Sequence, residues 1–194
     1  MRSVKPDVWL VRHGQTEWSE SGRHTSRTDV PLTDEGRTAA AALASPLADH
    51  EFSMVLASPA ARARETARLA GFGAAAIDAD LREWDYGDRE GLTTAEIRAR
   101  GPEWSDWTVW TRSRPGGESI DQVAQRTERV LGRIEAAAGD VLLFGHGHQL
   151  RILAALALDL GAGAGARLAL DTATISVLGH EHETRVLRVW NRRP

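Results

Sequence analysis

Three short apolar runs, at residues 8–11, 54–57 and 141–144, constrain this chain more than any other feature, because each stops abruptly at polar or glycine residues. The first is VWLV followed by Arg12-His13-Gly14, the second MVLA followed by Ser58-Pro59, and the third VLLF followed by Gly145-His146-Gly147-His148. Apolar runs of this length bounded by turn residues fit strands buried on both faces, which need helices to cover them. Helix signals lie between them. Thr33 is placed to N-cap a helix whose first turn holds Asp34 and Glu35 and whose alanine-rich body reaches Pro46. Ser58 as N-cap and Pro59 as first helical residue open another, through Arg62, Glu65 and Thr66 to a stop at Gly71. Ser119-Ile120-Asp121-Gln122 is a capping box, apolar residues then follow at helical spacing until Gly139, and a further helix runs from the third junction to about Leu158. Residues 173–178 and 186–190 flank the polar stretch Gly179-His180-Glu181-His182-Glu183 as a strand pair. Residues 87–117, rich in Gly, Trp and Arg, show no single long period and are predicted to form an insertion of loops and short helices over the sheet.

Strands alternating with helices predict an α/β domain with a mostly parallel sheet, in which ligands bind at the carboxyl ends of strands. The 194 residues suffice for one such unit, so residues 1–194 are expected to be a single domain. The chain has no cysteine, which excludes disulfides, a cysteine nucleophile and thiolate metal sites. The opening Met1-Arg2-Ser3-Val4-Lys5-Pro6-Asp7 has no apolar core, and no later run approaches the roughly 18 apolar residues of a membrane span, so a cytoplasmic protein without membrane contact is expected. A net charge of −3 argues against nucleic acid as partner. All basic residues but Lys5 are arginine, so an arginine counts toward phosphate binding only when its neighbours support it. A homo-oligomer is compatible with these features.

The three strand ends carry Arg12 and His13, Ser58 to Arg62, and His146. Phosphoryl transfer needs cations on the phosphate oxygens, a nucleophile in line with the leaving oxygen, and an acid to protonate that oxygen. A neutral imidazole attacks through one nitrogen while the other donates to a backbone carbonyl, and His13 fits that role. Arg12 and Arg62 would grip non-bridging oxygens in bidentate fashion, and a protonated His146 would add a third positive donor, with Gly145 and Gly147 allowing close approach of backbone. The acid is Glu83 or Asp85, both in Leu81-Arg82-Glu83-Trp84-Asp85-Tyr86-Gly87, where Trp84 and Tyr86 would strip water from a carboxyl. Spacing alone leaves that choice open.

Leu10-Val11-Arg12-His13-Gly14-Gln15-Thr16 resembles the opening motif of the histidine phosphatase superfamily, which includes the cofactor-dependent phosphoglycerate mutases. Pro31-Leu32-Thr33-Asp34-Glu35-Gly36, Ser58 to Thr66, Glu83 to Gly87, Pro115-Gly116-Gly117-Glu118-Ser119 and Gly145-His146-Gly147 resemble further family motifs in order, so the likeness spans essentially the whole chain. It implies a three-layer α/β/α sandwich, a phosphohistidine on His13, a phosphate pocket of Arg12, Arg62 and His146, and Glu83 as proton donor, with no metal and no other cofactor. One position departs: where the mutases carry an asparagine six residues after the histidine, this chain has Ser19. The segment from Trp18 to Thr25 is more similar to the branch of sugar bisphosphatases and broad acid phosphatases. Ser19, His24, Thr25, Gly147 and His148 are then the candidates for binding substrate, a small-molecule phosphate ester and by this branch likeness a sugar phosphate.

Three other functions compete. A phosphoglycerate mutase returns phosphate to a substrate instead of water, which requires loops that exclude water; the middle region looks short for that, and only Asn191-Arg192-Arg193-Pro194 follows the strand at Trp190. A metal hydrolase on the His-x-His pairs 146/148 and 180/182 lacks a carboxylate set at matching spacing. A non-catalytic phospho-ligand binder is expected to have lost the nucleophile or the acid, and both are present.

Overall fold

The computed structural model describes residues 5–111 and 116–194, so Pro115 of the Pro-Gly-Gly-Glu motif lies outside the described residues. Strand β1 (Val8–Arg12) leads through a loop holding a one-turn helix α1 (Glu17–Glu20) to α2 (Asp34–Ala42) and the short α3 (Ala44–Leu47). Then come β2 (Met54–Ala57), α4 (Ala61–Leu69), a two-residue β3 (Ala76–Ile77), α5 (Thr94–Arg98), α6 (Ile120–Glu135), β4 (Val141–Gly145) and α7 (Gly147–Ala157). The hairpin of β5 (Ile175–Glu181) and β6 (Thr184–Arg192) completes a six-stranded sheet in the order β3-β2-β4-β1-β5-β6. The pairings β3–β2, β2–β4 and β4–β1 are parallel; β1–β5 and β5–β6 are antiparallel.

Period-two alternation in the central strands sorts their side chains between two helical layers. Val141 and Leu143 pack with Val8, Leu10, Val130, Ile134 and Leu153 on the α6–α7 side. Leu142 and Phe144 pack with Trp9, Val11, Leu43, Leu47 and Ala67 on the side of α2, α3 and α4. This is the expected three-layer α/β/α arrangement with a mostly parallel sheet. A third apolar cluster, of Trp84, Tyr86, Ile97, Trp107, Val109, Val123 and Ile152, ties the segment around α5 to α6 and α7. That segment holds loops, α5 and 3-10 turns at Gly87–Arg89 and Pro102–Trp104, the mixed character its composition suggested.

Register brings the strand ends together. Arg12 pairs with Gly145 and Ala57 with Phe144, while the amides of His13 and Ser58 donate to Gly145 O and Phe144 O at 3.0 and 2.9 Å. Glycine is required where Gly14 meets α2: a Cβ on Gly14 would lie 2.5 Å from Gly36 O, and one on Gly36 would lie 2.1 Å from Gln15 O.

Two local expectations need correction. Ser58 does not cap α4; Ala60 is the N-cap, and Asp29 Oδ1 accepts from the Ala61 amide at 2.9 Å instead. The Ser58 hydroxyl meets His146 Nε2 at 2.7 Å and reaches only the Ala60 amide, at 3.4 Å, ahead of the helix. The polar turn of the terminal hairpin is also shorter than expected, since Gly179, His180 and Glu181 belong to β5 and pair with Val186, Arg185 and Thr184. A positive φ of 53° at His182 lets the chain reverse tightly there.

Candidate active site

His13 follows β1 with 5% of its surface exposed, and its Nδ1 lies 2.7 Å from Gly14 O. Nδ1–H therefore donates to that carbonyl, which leaves the lone pair on Nε2. Burial, then the charges of Arg12 and Arg62, hold the imidazole pKa well below the ordinary 6.5, although the Gly14 contact opposes them. The ring is thus neutral at neutral pH. Its loop is anchored from α4, because the Gly14 amide donates to Thr66 Oγ1 at 2.9 Å and that hydroxyl donates to Arg62 O at 2.7 Å.

Arg12 donates through Nη1 to Leu170 O, and its Nε has no acceptor among the described residues. Arg62, 1% exposed, is gripped by the loop before α2: Nη1 donates to Thr28 O at 3.1 Å, and Nη2 to the carbonyls of Thr25 and Ser26 at 3.3 Å each. Burial lowers both guanidinium pKa values, with Glu83 the strongest opposing charge in each case, and an arginine remains charged after such a shift. His146, the N-cap of α7, is fully buried with its ring 5.2 Å from that of His13, centroid to centroid. Ser58 engages its Nε2, and its Nδ1 has no partner among the described residues. Burial first, then Arg62, His13 and Arg12, push the His146 pKa well below 6.5. The protonated donor expected there is consequently a neutral ring at neutral pH.

Glu83 is held at the opening of α7, where Oε1 accepts from the amides of Trp84 (2.8 Å) and Gln149 (2.9 Å) and Oε2 accepts from the amide of His148 (3.1 Å). Asp85 points elsewhere: Oδ2 pairs with Arg27 and Oδ1 accepts from the Gly87 amide at 3.0 Å. Geometry thus separates the two carboxylates. A clasp behind them involves Glu118, whose Oε2 accepts from the Asp85 amide at 2.9 Å and whose carbonyl accepts from Trp84 Nε1 at 2.9 Å. Arg126 binds the Glu118 carboxylate at 2.9 and 3.0 Å and donates to the carbonyls of Asp80, Arg82 and Glu83. Gly117 is small for the same reason, since a Cβ there would lie 2.4 Å from Asp85 O. Trp84, fully buried against Trp110, packs behind the site and does not line it.

A cavity of about 160 Å³ opens above these groups, and Arg12, His13, Ser19, His24, Thr25, Glu83, Gly147 and His148 line it. Arg62 and His146 lie beneath and do not line it. Gly147 is glycine for a local reason: a Cβ there would press on Arg12 Cζ at 3.3 Å. The hydroxyl of Ser19, one of the candidates for binding substrate, donates to Thr16 O at 2.9 Å in the capping box of α1. His148 Nδ1 meets Tyr86 OH at 2.7 Å, and His24 packs its ring 4.8 Å from that of Tyr86 and 5.4 Å from that of Trp107. Two polar lining residues, Arg23 and Arg151, escaped the sequence reading, and Tyr86, read there only as a neighbour of the acid, lines the cavity with them. Arg151 had a signal, because it stands three residues after His148 and so shares its helix face. Arg23, in an irregular loop, had none. Among the described residues no group of three or more His, Asp or Glu is arranged to hold a metal ion. The two His-x-His pairs also sit at opposite ends of the sheet, for Val11 pairs with Ile175 near the site and Val8 with Leu178 toward His180.

The family model described as "Histidine phosphatase superfamily (branch 1)" matches residues 8–193. The chain belongs to the histidine phosphatase superfamily. It is 42% identical over 184 residues to an acid phosphatase of Mycobacterium tuberculosis, covering 93% of this chain and 89% of that one. It is 36% identical to sedoheptulose 1,7-bisphosphatase of Saccharomyces cerevisiae, covering 80% of this chain and 69% of that one. The solved structure of an open reading frame product from Mycobacterium tuberculosis superposes with a TM-score of 0.88 at 40% identity, covering 97% of this chain and 98% of that one. This histidine phosphatase is an enzyme that hydrolyses phosphate esters. None of its helices is long and apolar enough, among the described residues, to cross a membrane.

Proposed function

We propose that this enzyme hydrolyses small phosphate monoesters through a phosphohistidine on His13, without a metal ion. The observation that carries the reading is the Nδ1–H contact of His13 with Gly14 O, which presents a lone pair on Nε2 beside two arginines. Arg12, Arg62 and a nearby buried histidine provide the electrostatic stabilisation that a metal supplies elsewhere. Nε2 attacks phosphorus, the ester P–O bond breaks, and Glu83 passes its proton to the departing alkoxide. Water then attacks the phosphohistidine, delivering a proton to Glu83 as inorganic phosphate leaves and His13 is regenerated. An arriving phosphate dianion favours the protonated form of His146, so the third positive donor forms on binding. Gly147, His24, Thr25 and His148 face the alcohol part, and Ser19 lines the same cavity.

The substrate class we favour is a small phosphorylated metabolite such as a sugar phosphate, a reading supported by likeness to enzymes named acid phosphatase and sedoheptulose 1,7-bisphosphatase. The purified enzyme is to be assayed for phosphate release from sugar phosphates, phosphoglycerates, nucleotides and an aryl phosphate, with and without EDTA. Release that withstands EDTA is the expected outcome, while turnover lost to EDTA and restored by zinc or magnesium contradicts it. Efficient interconversion of 3- and 2-phosphoglycerate with negligible phosphate release would replace water by a second substrate as acceptor.

A further inference from the structure

The cavity wall carries more positive charge than one phosphate uses. Its lining holds the guanidinium groups of Arg12, Arg23 and Arg151 against the carboxylate of Glu83, and Arg62 is near enough to act on His13 by its charge. In the reaction proposed above, on which this inference rests, a phosphate dianion is matched by Arg12 and Arg62 even before the proton on His146 is counted, and Glu83 is neutral once it carries the proton it will donate. Arg23 is matched separately, because Glu96 accepts from both of its terminal nitrogens, at 3.1 and 3.2 Å. Arg151 remains. Its Nε donates to Gly165 O at 2.8 Å and its Nη2 to Ala166 O at 3.1 Å, both neutral acceptors, and among the described residues it pairs with no carboxylate. A guanidinium has five N–H donors, so Nη1 keeps both of its own.

The side chain is also fixed in place. Its guanidinium lies 4.8 Å from the ring centroid of Trp110, and the two carbonyl hydrogen bonds hold it as well. It is within electrostatic reach of Glu83 and Arg12, on the face of α7 that carries His148. A planar fork held this way loses little conformational freedom when it binds an oxyanion. We propose that Arg151 binds a second anionic group, carboxylate or phosphate, on the alcohol side of the substrate. The preferred esters are then small molecules anionic at both ends. His148 and Tyr86, joined at 2.7 Å, line the path between those ends.

Three esters separate this role from two others Arg151 could play. 3-Phosphoglycerate has a poor leaving group and a carboxylate, glycerol 3-phosphate has a poor leaving group without one, and p-nitrophenyl phosphate has a good leaving group and no second anion. A sugar bisphosphate paired with its monophosphate distinguishes phosphate from carboxylate as the second anion. The wild type is expected to show at least tenfold higher kcat/KM for one doubly anionic ester over its matched partner. In Arg151→Met that preference should collapse through a rise in KM, and Arg151→Lys should restore part of it. If the loss instead follows the leaving group, striking glycerol 3-phosphate as hard as 3-phosphoglycerate, Arg151 acts through Glu83 and the proposal is wrong. A uniform loss on all esters, or a wild type indifferent to the second anion, overturns it too, and the wild-type comparison stands even if the variants fail to fold. Should the wild type fail to release phosphate even from p-nitrophenyl phosphate, the failure lies with the phosphatase reading and takes this subsite with it.

Discussion

At the scale of single residues, the site works by giving each group one task and closing off the others. His13 has one ring nitrogen occupied by Gly14 O, and burial beside two arginines keeps the other unprotonated. Glu83 and Asp85 are two positions apart yet share no partner, because α7 amides hold the first and Arg27 the second. The expected consequence is a leaving-group effect. Glu83→Gln should lower kcat on an alkyl phosphate by roughly 10²–10⁴-fold, the usual range for a general acid, and affect an aryl phosphate far less. Steady-state kinetics on both esters, with Asp85→Asn for comparison, decide it; equal losses on both esters in Glu83→Gln remove Glu83 from the acid role.

Among the elements, the clasp between the segment at Glu83 and α6 matters most. Glu118 and Arg126 bind the backbone on both sides of Glu83, so the carboxylate's position depends on a helix that touches neither substrate nor nucleophile. Removing the Glu118 side chain leaves a guanidinium that is only 9% exposed without its carboxylate. Glu118→Ala should therefore cost about 3 kcal/mol of stability, the lower end for breaking a buried pair, and slow alkyl esters more than aryl ones. Urea unfolding together with the two assays tests it, and a variant as stable and as active as the wild type contradicts it. The elements were largely legible from local signals: apolar runs gave β1, β2 and β4, and the Ser119 capping box marks the start of α6. Ser58 misled because its sequence suits an N-cap, whereas its hydroxyl is claimed by His146, 88 positions away in the chain. A competition settled by tertiary packing leaves no local trace. Arg23 stayed hidden for the same reason, since irregular loops have no period from which to read a facing direction.

For the whole molecule, the sheet gathers Arg12, His13, Ser58 and His146 from three strand ends, and the cost of doing so is two imidazoles buried among cations. Their folded pKa values lie below the 6.5 of the unfolded chain, so as pH falls the unfolded state takes up protons first. The stabilising effect of keeping them neutral is complete above that value and erodes as pH falls through and below it, by about 1.4 kcal/mol per pH unit for each histidine. Urea unfolding at pH 7.5 and 5.5 should show this loss, and His13→Gln should remove the His13 share of it, about 1.4 kcal/mol; a stability independent of pH in that window speaks against the buried neutral pair. The order of motifs made the fold and the groups around His13 readable, whereas the outer wall, built from Arg23, Tyr86 and Arg151, follows from packing between distant segments. The most direct measurement is to quench the enzyme during turnover of a ³²P-labelled ester and locate the label. An acid-labile, base-stable phosphoryl group on His13, absent from His13→Ala together with all turnover, is the expected result. An acid-stable phosphoserine, or a His13→Ala variant that still turns over, contradicts it.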